Sequence, residues 1–210
     1  MERYEVPPER LGRWLERWAE ENAPVERTEL TAGRVIFHGA TRLECDPPFP
    51  PLAVTGAREG FDPGPLLDHA GRDRAVGVLL VRLGGHAAGV FAGRRLVDSK
   101  VGSRNVHGRH RAGGSSQKRF ERRRGEQARV ALEAAAEVAA RVLLPHRRDL
   151  EAVVLGGDRR ALGEVLEDPR LRPLMPLVAD RVLDVPDPRL KVLQATPDAF
   201  RATVITLLAP

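Results

Sequence analysis

Between Val101 and Arg124 the chain carries an unusual concentration of glycine, arginine and small polar residues. Gly102, Gly108, Gly113 and Gly114 give a backbone that can reach out and approach a partner closely. Arg104, Arg109, Arg111, Lys118, Arg119, Arg122, Arg123 and Arg124 make the same stretch strongly cationic, with His107 and His110 among them. Ser115, Ser116 and Gln117 then stand where a helix is expected to open, and free backbone N–H groups at such an end favour anions and polarised oxygens. No carboxylate lies between Asp98 and Glu121. A hydrolase that relies on protein groups alone needs a general base, or a nucleophile with its partner. This loop offers neither, so any hydrolysis here would draw its catalytic environment from something the loop binds.

The charge distribution points to the kind of partner. Twelve Lys and Arg stand against three Asp and Glu between Arg94 and Arg129, a net +9 on a chain whose total is +5, so the rest sums to −4. A basic segment on a mildly acidic body is the footprint of a phosphate-rich ligand. Taken alone, these residues fit general RNA binding first. His107 and His110 have no Cys or acidic neighbour, so RNA contact or solvent exposure is expected for them and no protein-bound metal. Asp158 with Glu164, and Asp184 with Asp187, leave a metal-dependent nuclease open as a lesser alternative. Cys45 is the single cysteine, which excludes an internal disulfide, and it reads as structural.

The elements that must position the loop follow from periodicity. Glu9 to Asn22 places Leu11, Trp14, Leu15 and Trp18 at helical spacing. Val25–Leu30 and Arg34–Gly39 flank Thr31-Ala32-Gly33 as a hairpin. Asp46 to Pro51 holds four prolines and marks a border. Ala75–Leu83 is apolar and β-branched, as a buried central strand would be. Gly84-Gly85 turns it into a second strand over His86–Ala92, and Arg94–Val101 makes a third. Ser116–Leu144 reads as a long helix ended by Pro145. Strand, helix, strand, helix and strand then follow over 151–156, 159–167, 181–185, 189–195 and 202–207. The expected fold is mixed α/β (α+β), a three-layer sheet with helices on its faces. An N-terminal helix and hairpin (1–50) would precede a body of residues 51–210 that carries the loop, 102–117. At 42% hydrophobic and 30% charged, with no apolar run near the roughly 20 residues of a membrane helix and no apolar signal core in Met1–Arg10, the chain reads as cytoplasmic.

Gly113, Gly114 and Gln117, followed by Arg119-Phe120 and Arg122–Arg124, resemble the Gly-Gly-Gln loop of archaeal and eukaryotic class I peptide-chain release factors. They resemble more closely the Vms-like release factor (VLRF) family, in its actinobacterial-type branch. The resemblance implies an RNase H-like sheet, as in the release-factor middle domain, and hydrolysis of peptidyl-tRNA on stalled ribosomes. The implied partners are large-subunit rRNA and peptidyl-tRNA, with no cofactor, no membrane and a monomeric protein. Aligning Arg119-Phe120 with the release-factor Arg-Phe pair puts the release-factor glutamine on Ser115, two residues before Gln117. The branch carries its glutamine shifted within the loop, so the catalytic role passes to Gln117, with Ser115 as the alternative. Gly113, Gly114, Ser115 and Ser116 would set the loop geometry. Arg104, His107, Arg109, His110, Arg111, Lys118, Arg119 and Arg122–Arg124 would contact RNA. A non-catalytic ribosome- or RNA-binding protein remains the principal alternative.

Overall fold

The computed structural model describes residues 2–82, 85–103 and 116–208, with backbone alone at Ser103 and over 116–125. Its contacts divide into two units, Met1–Arg72 with Pro197–Pro210, and Asp73–Thr196.

The first unit is built on six strands: β1 (Glu2–Val6), β2 (Arg27–Leu30), β3 (Val35–His38), β4 (Arg42–Asp46), β5 (Gly56–Glu59) and β11 (Thr203–Leu208). Their order is β1-β11-β4-β3-β2-β5, and every pairing is antiparallel. Alternation sorts the faces. Val35, Phe37, Leu43, Cys45 and Ile205 form one core with Leu11, Leu15 and Trp18 of α1 (Pro8–Glu21) and Leu66 and Ala70 of α2 (Gly64–Gly71). The intervening residues carry charge: Arg34 pairs with Glu44 and Asp46, and His38 Nε2 lies 3.2 Å from Glu29. The expected hairpin is β2–β3, with Leu30 opposite Val35. The last strand, β11, sits between β1 and β4, so the chain's two ends share one sheet.

The second unit holds β6 (Ala75–Arg82), β7 (Gly85–Ala92), β8 (Arg95–Ser103), β9 (Ala152–Gly157) and β10 (Val178–Leu183), in the order β10-β9-β6-β7-β8. β9 runs parallel to β6 and β10, whereas β7 is antiparallel to both β6 and β8. Numbered within the unit this is 3-2-1-4-5 with only the second strand reversed, the RNase H-like arrangement. β6 is central and buried on both faces from Val76 to Val81, which explains its unbroken apolar run. On one face α3 (Ser116–Leu143) and α4 (Arg159–Leu166) pack Ala135, Ala139, Val142, Leu162 and Val165 against Leu79, Val81, Ala88 and Val90. A Cβ at Gly89, on the opposite face, would lie 3.0 Å from Leu193 of α5 (Leu190–Phe200), so helices cover both faces. Pro145 ends α3 as expected, inside a 3-10 turn over Leu144–His146.

Candidate nucleic-acid interface

The carboxyl ends of β6, β8, β9 and β10 fall on one edge of the second sheet, where open α/β sheets gather their ligand sites. β8 ends there at Ser103, and the chain re-enters described structure at Ser116, the first residue of α3. α3 has 28 residues, about 42 Å at 1.5 Å per residue. The eight-residue strands β6 and β7 are only about 26 Å long. The helix must therefore overhang the sheet. Ala128, Ala131 and Leu132 line a shallow cleft with Arg82, Gly85 and His86, so this part of α3 is level with the strand ends. Burial agrees: Ala135, Ala136, Val138 and Ala139 are buried, whereas Glu126, Gln127 and Arg129 are exposed. The twelve residues Ser116 to Gln127 thus make a helical arm about 18 Å long beyond the strand ends.

The sequence of that arm departs from what helix stability favours. A helix start favours Asp and Glu, yet the first turn of α3 contains no acidic residue. Lys118 and Arg119 stand there instead, and Arg122, Arg123 and Arg124 follow one turn on. A cation beside the positive end of the macrodipole is unfavourable by about 0.3–1 kcal/mol, and a bound phosphate reverses the sign. Gln117 lies in the first turn, among the N–H groups that have no intrahelical acceptor.

The expected site residues divide between this arm and the segment before it. Ser116, Gln117, Lys118, Arg119, Arg122, Arg123 and Arg124 belong to α3 by their backbone. Arg104, His107, Arg109, His110, Arg111, Gly113, Gly114 and Ser115 lie outside the described residues, as does Gly108. Gly102 is within β8, opposite His86 of β7, and a Cβ there would fall 2.3 Å from His86 Nε2. Close approach to a buried ring, rather than loop freedom, fixes this glycine. His86 itself escaped the sequence reading, because only the β7–β8 register brings the two positions together.

Three of the four carboxylates that left a nuclease open are engaged by neighbours, and Asp187 shares no cluster with them. Asp158 caps α4, its side chain accepting from the Ala161 N–H at 2.9 Å. Glu164 accepts from Arg160 at 3.2 Å on the same helix, and Asp184 accepts from Arg82 at 3.1 Å. β6, the central strand, carries no acidic residue. Among the described residues no three His, Cys, Asp or Glu side chains converge as metal ligands would. Cys45 is fully buried in the first unit, and burial pushes its thiol pKa far up. Among the described residues no helix is long and apolar enough to cross a membrane.

A family model described as "Actinobacteria/chloroflexi VLRF1 release factor" matches residues 74–206, well over half of the chain. The chain belongs to this release-factor family. The matched region runs from the residue before β6 into β11 and contains the loop and all of α3. No curated protein matches the chain. Among solved structures, the archaeal translation termination factor aRF1 is 18% identical with a TM-score of 0.43, over 90% of this chain and 68% of that one. A structure titled only "Archaeal protein" is 16% identical with a TM-score of 0.42, over 93% of this chain and 72% of that one. Pelota of Archaeoglobus fulgidus is 12% identical with a TM-score of 0.32, over 95% of this chain and 63% of that one.

Proposed function

We propose that this member of the release-factor family frees nascent chains from stalled ribosomes by hydrolysing the ester of peptidyl-tRNA in the peptidyl transferase centre. Family membership supports the coarse role, ribosome-associated release or rescue. What supports the finer one is the setting of Gln117, in the first turn of a basic helical arm that overhangs its own sheet. Such an arm can enter a crowded RNA cavity while the body stays outside. The rRNA and the tRNA are the partners, met by the arginines and histidines of the loop and by the start of α3. The protein acts in the cytoplasm as a monomer, since one loop enters one cavity.

The chemistry asked of the chain is positioning. The RNA centre already holds the ester and stabilises the developing oxyanion, so the missing reactant is a water in line with the carbonyl. Gln117 can both accept from and donate to that water, and it stays neutral at every physiological pH. Holding a reactant near attack geometry can contribute several kcal/mol of the barrier. Ser115→Ala, compared with Gln117→Ala, separates the two candidate positions in the loop. The products test the reaction class: stalled complexes treated with the protein should yield deacylated, uncut tRNA and free peptide. RNA fragments would place the chain among nucleases, and binding without release would leave a docking protein.

A further inference from the structure

The first unit lies largely outside the family match, which begins at residue 74, and it carries a second surface of its own. α1 buries Leu11, Leu15 and Trp18 and turns a row of arginines outward. Arg10, Arg13 and Arg17 are spaced i, i+3 and i+7, within about 60° of one another around the helix and about 10 Å along it. All three are exposed, and none is ion-paired or hydrogen-bonded through its side chain among the described residues. They form one wall of a groove whose floor is Tyr4, Val6 and Trp14. Tyr4 is 39% exposed, and its ring stands 5.7 Å from that of Trp14. β1 is the edge strand of its sheet, so nothing within the sheet covers the groove on that side.

The charges balance toward an anion. Two carboxylates also line the groove, but Glu9 already accepts from Arg201 Nη1 at 2.6 Å, and Glu5 is engaged as well. The arginines have no such outlet. A cationic wall beside an exposed tyrosine and a half-buried tryptophan fits the way proteins hold single-stranded nucleic acid, the wall following phosphates and the rings stacking bases. Three long arginine side chains in one row can each fork onto a phosphate of the same strand. An acidic peptide would satisfy the arginines but would leave the aromatic pair without a stacking partner.

We infer that the groove between β1 and α1 is a second RNA-binding site, which takes a short single-stranded segment across Arg10, Arg13, Arg17, Tyr4 and Trp14. It goes beyond the reading of Gln117 and stands or falls separately from it. The test uses the full chain and a fluorescent single-stranded RNA oligonucleotide, with binding followed by anisotropy across a salt series. The triple variant R10A/R13A/R17A should bind roughly tenfold more weakly at low salt, and the slope of log K against log salt should shrink by about 2, at 0.7 per lost single-strand phosphate contact. Wild type should also show quenching of tryptophan fluorescence on RNA addition, and Trp14→Phe should abolish it. Circular dichroism melts control for folding, and the wild-type quench does not depend on any variant. An unchanged slope in a folded triple variant, or no quench in wild type, overturns the proposal. So does a poly-glutamate peptide that binds through the three arginines where RNA does not. Release of nascent chains by Gln117→Ala is read separately, so failure of one reading leaves the other standing.

Discussion

Replacing Gly102 by alanine tests whether β8 is held to its buried neighbour as tightly as the geometry requires. The added methyl would stand 2.3 Å from His86 Nε2, 2.7 Å from Cε1 and 3.1 Å from Cδ2. His86 is only 5% exposed and lies directly across the β7–β8 ladder, so the ring has little room to retreat. Overpacking of this kind costs about 1–3 kcal/mol. For a chain of this size that lowers Tm by about 2–4 °C per kcal/mol. Trp14 and Trp18 both belong to the first unit, so tryptophan fluorescence would miss the effect. Far-UV circular dichroism melts and amide hydrogen exchange in β7 and β8 would detect it. His86→Ala should lose stability by a different route, the cavity left by a buried ring. The double variant removes both the clash and the ring, so its loss should fall short of the sum by about 1–2 kcal/mol. A neutral Gly102→Ala, or a double variant that is strictly additive, would refute the reasoning.

Three further outcomes follow from the same structure. Substituting Arg122, Arg123 and Arg124 by alanine should weaken binding to the large ribosomal subunit and lower its salt slope by about 2–3, while single-turnover release at saturating protein stays within a few-fold of wild type. Asp158→Ala removes the cap that accepts from the Ala161 N–H and should destabilise the second unit by about 0.5–2 kcal/mol, measured by urea or thermal unfolding. Burial raises the Cys45 thiol pKa in the folded state, so above about pH 8.5 the unfolded chain ionises first and stability should fall by up to about 1.4 kcal/mol per pH unit. Cys45→Ala should remove that alkaline component, and a pH-independent difference between the two proteins would contradict it.

How much of this was legible without coordinates depended on whether the signal was local. β6, β7 and β8 announce themselves by an apolar run and short turns, and α3 by its alanines and by Pro145. The hairpin β2–β3 is set by its alternation and by Thr31–Arg34. β1 and β5 escaped because they are sheet edges with almost every residue exposed, so no alternation of apolar residues marks them. β4 has only Leu43 and Cys45 as its inward apolar residues, which is too little pattern to register. The apolar run of β11 marks it as a strand, but its place between β1 and β4 depends on partners some 160 to 200 residues away. β10 begins three residues before the expected strand at 181–185, and a register shift between Val178 and Val182 interrupts its pairing there. At the candidate site, the residue types of the loop and the helix start were plain, because glycine, arginine and glutamine in one run speak for themselves. The overhang of α3 and the fit of Gly102 against His86 were not, since both are comparisons between separate elements.

The most direct measurement is release of a labelled nascent chain from stalled ribosomal complexes, wild type beside Gln117→Ala, with ribosome binding measured in parallel. The account predicts release by wild type, and a loss of at least a hundredfold in the variant while binding is retained, the scale expected when a positioned reactant is lost. Full release by Gln117→Ala would contradict the role given to that residue, and absence of release by wild type on every complex would contradict the proposed reaction itself.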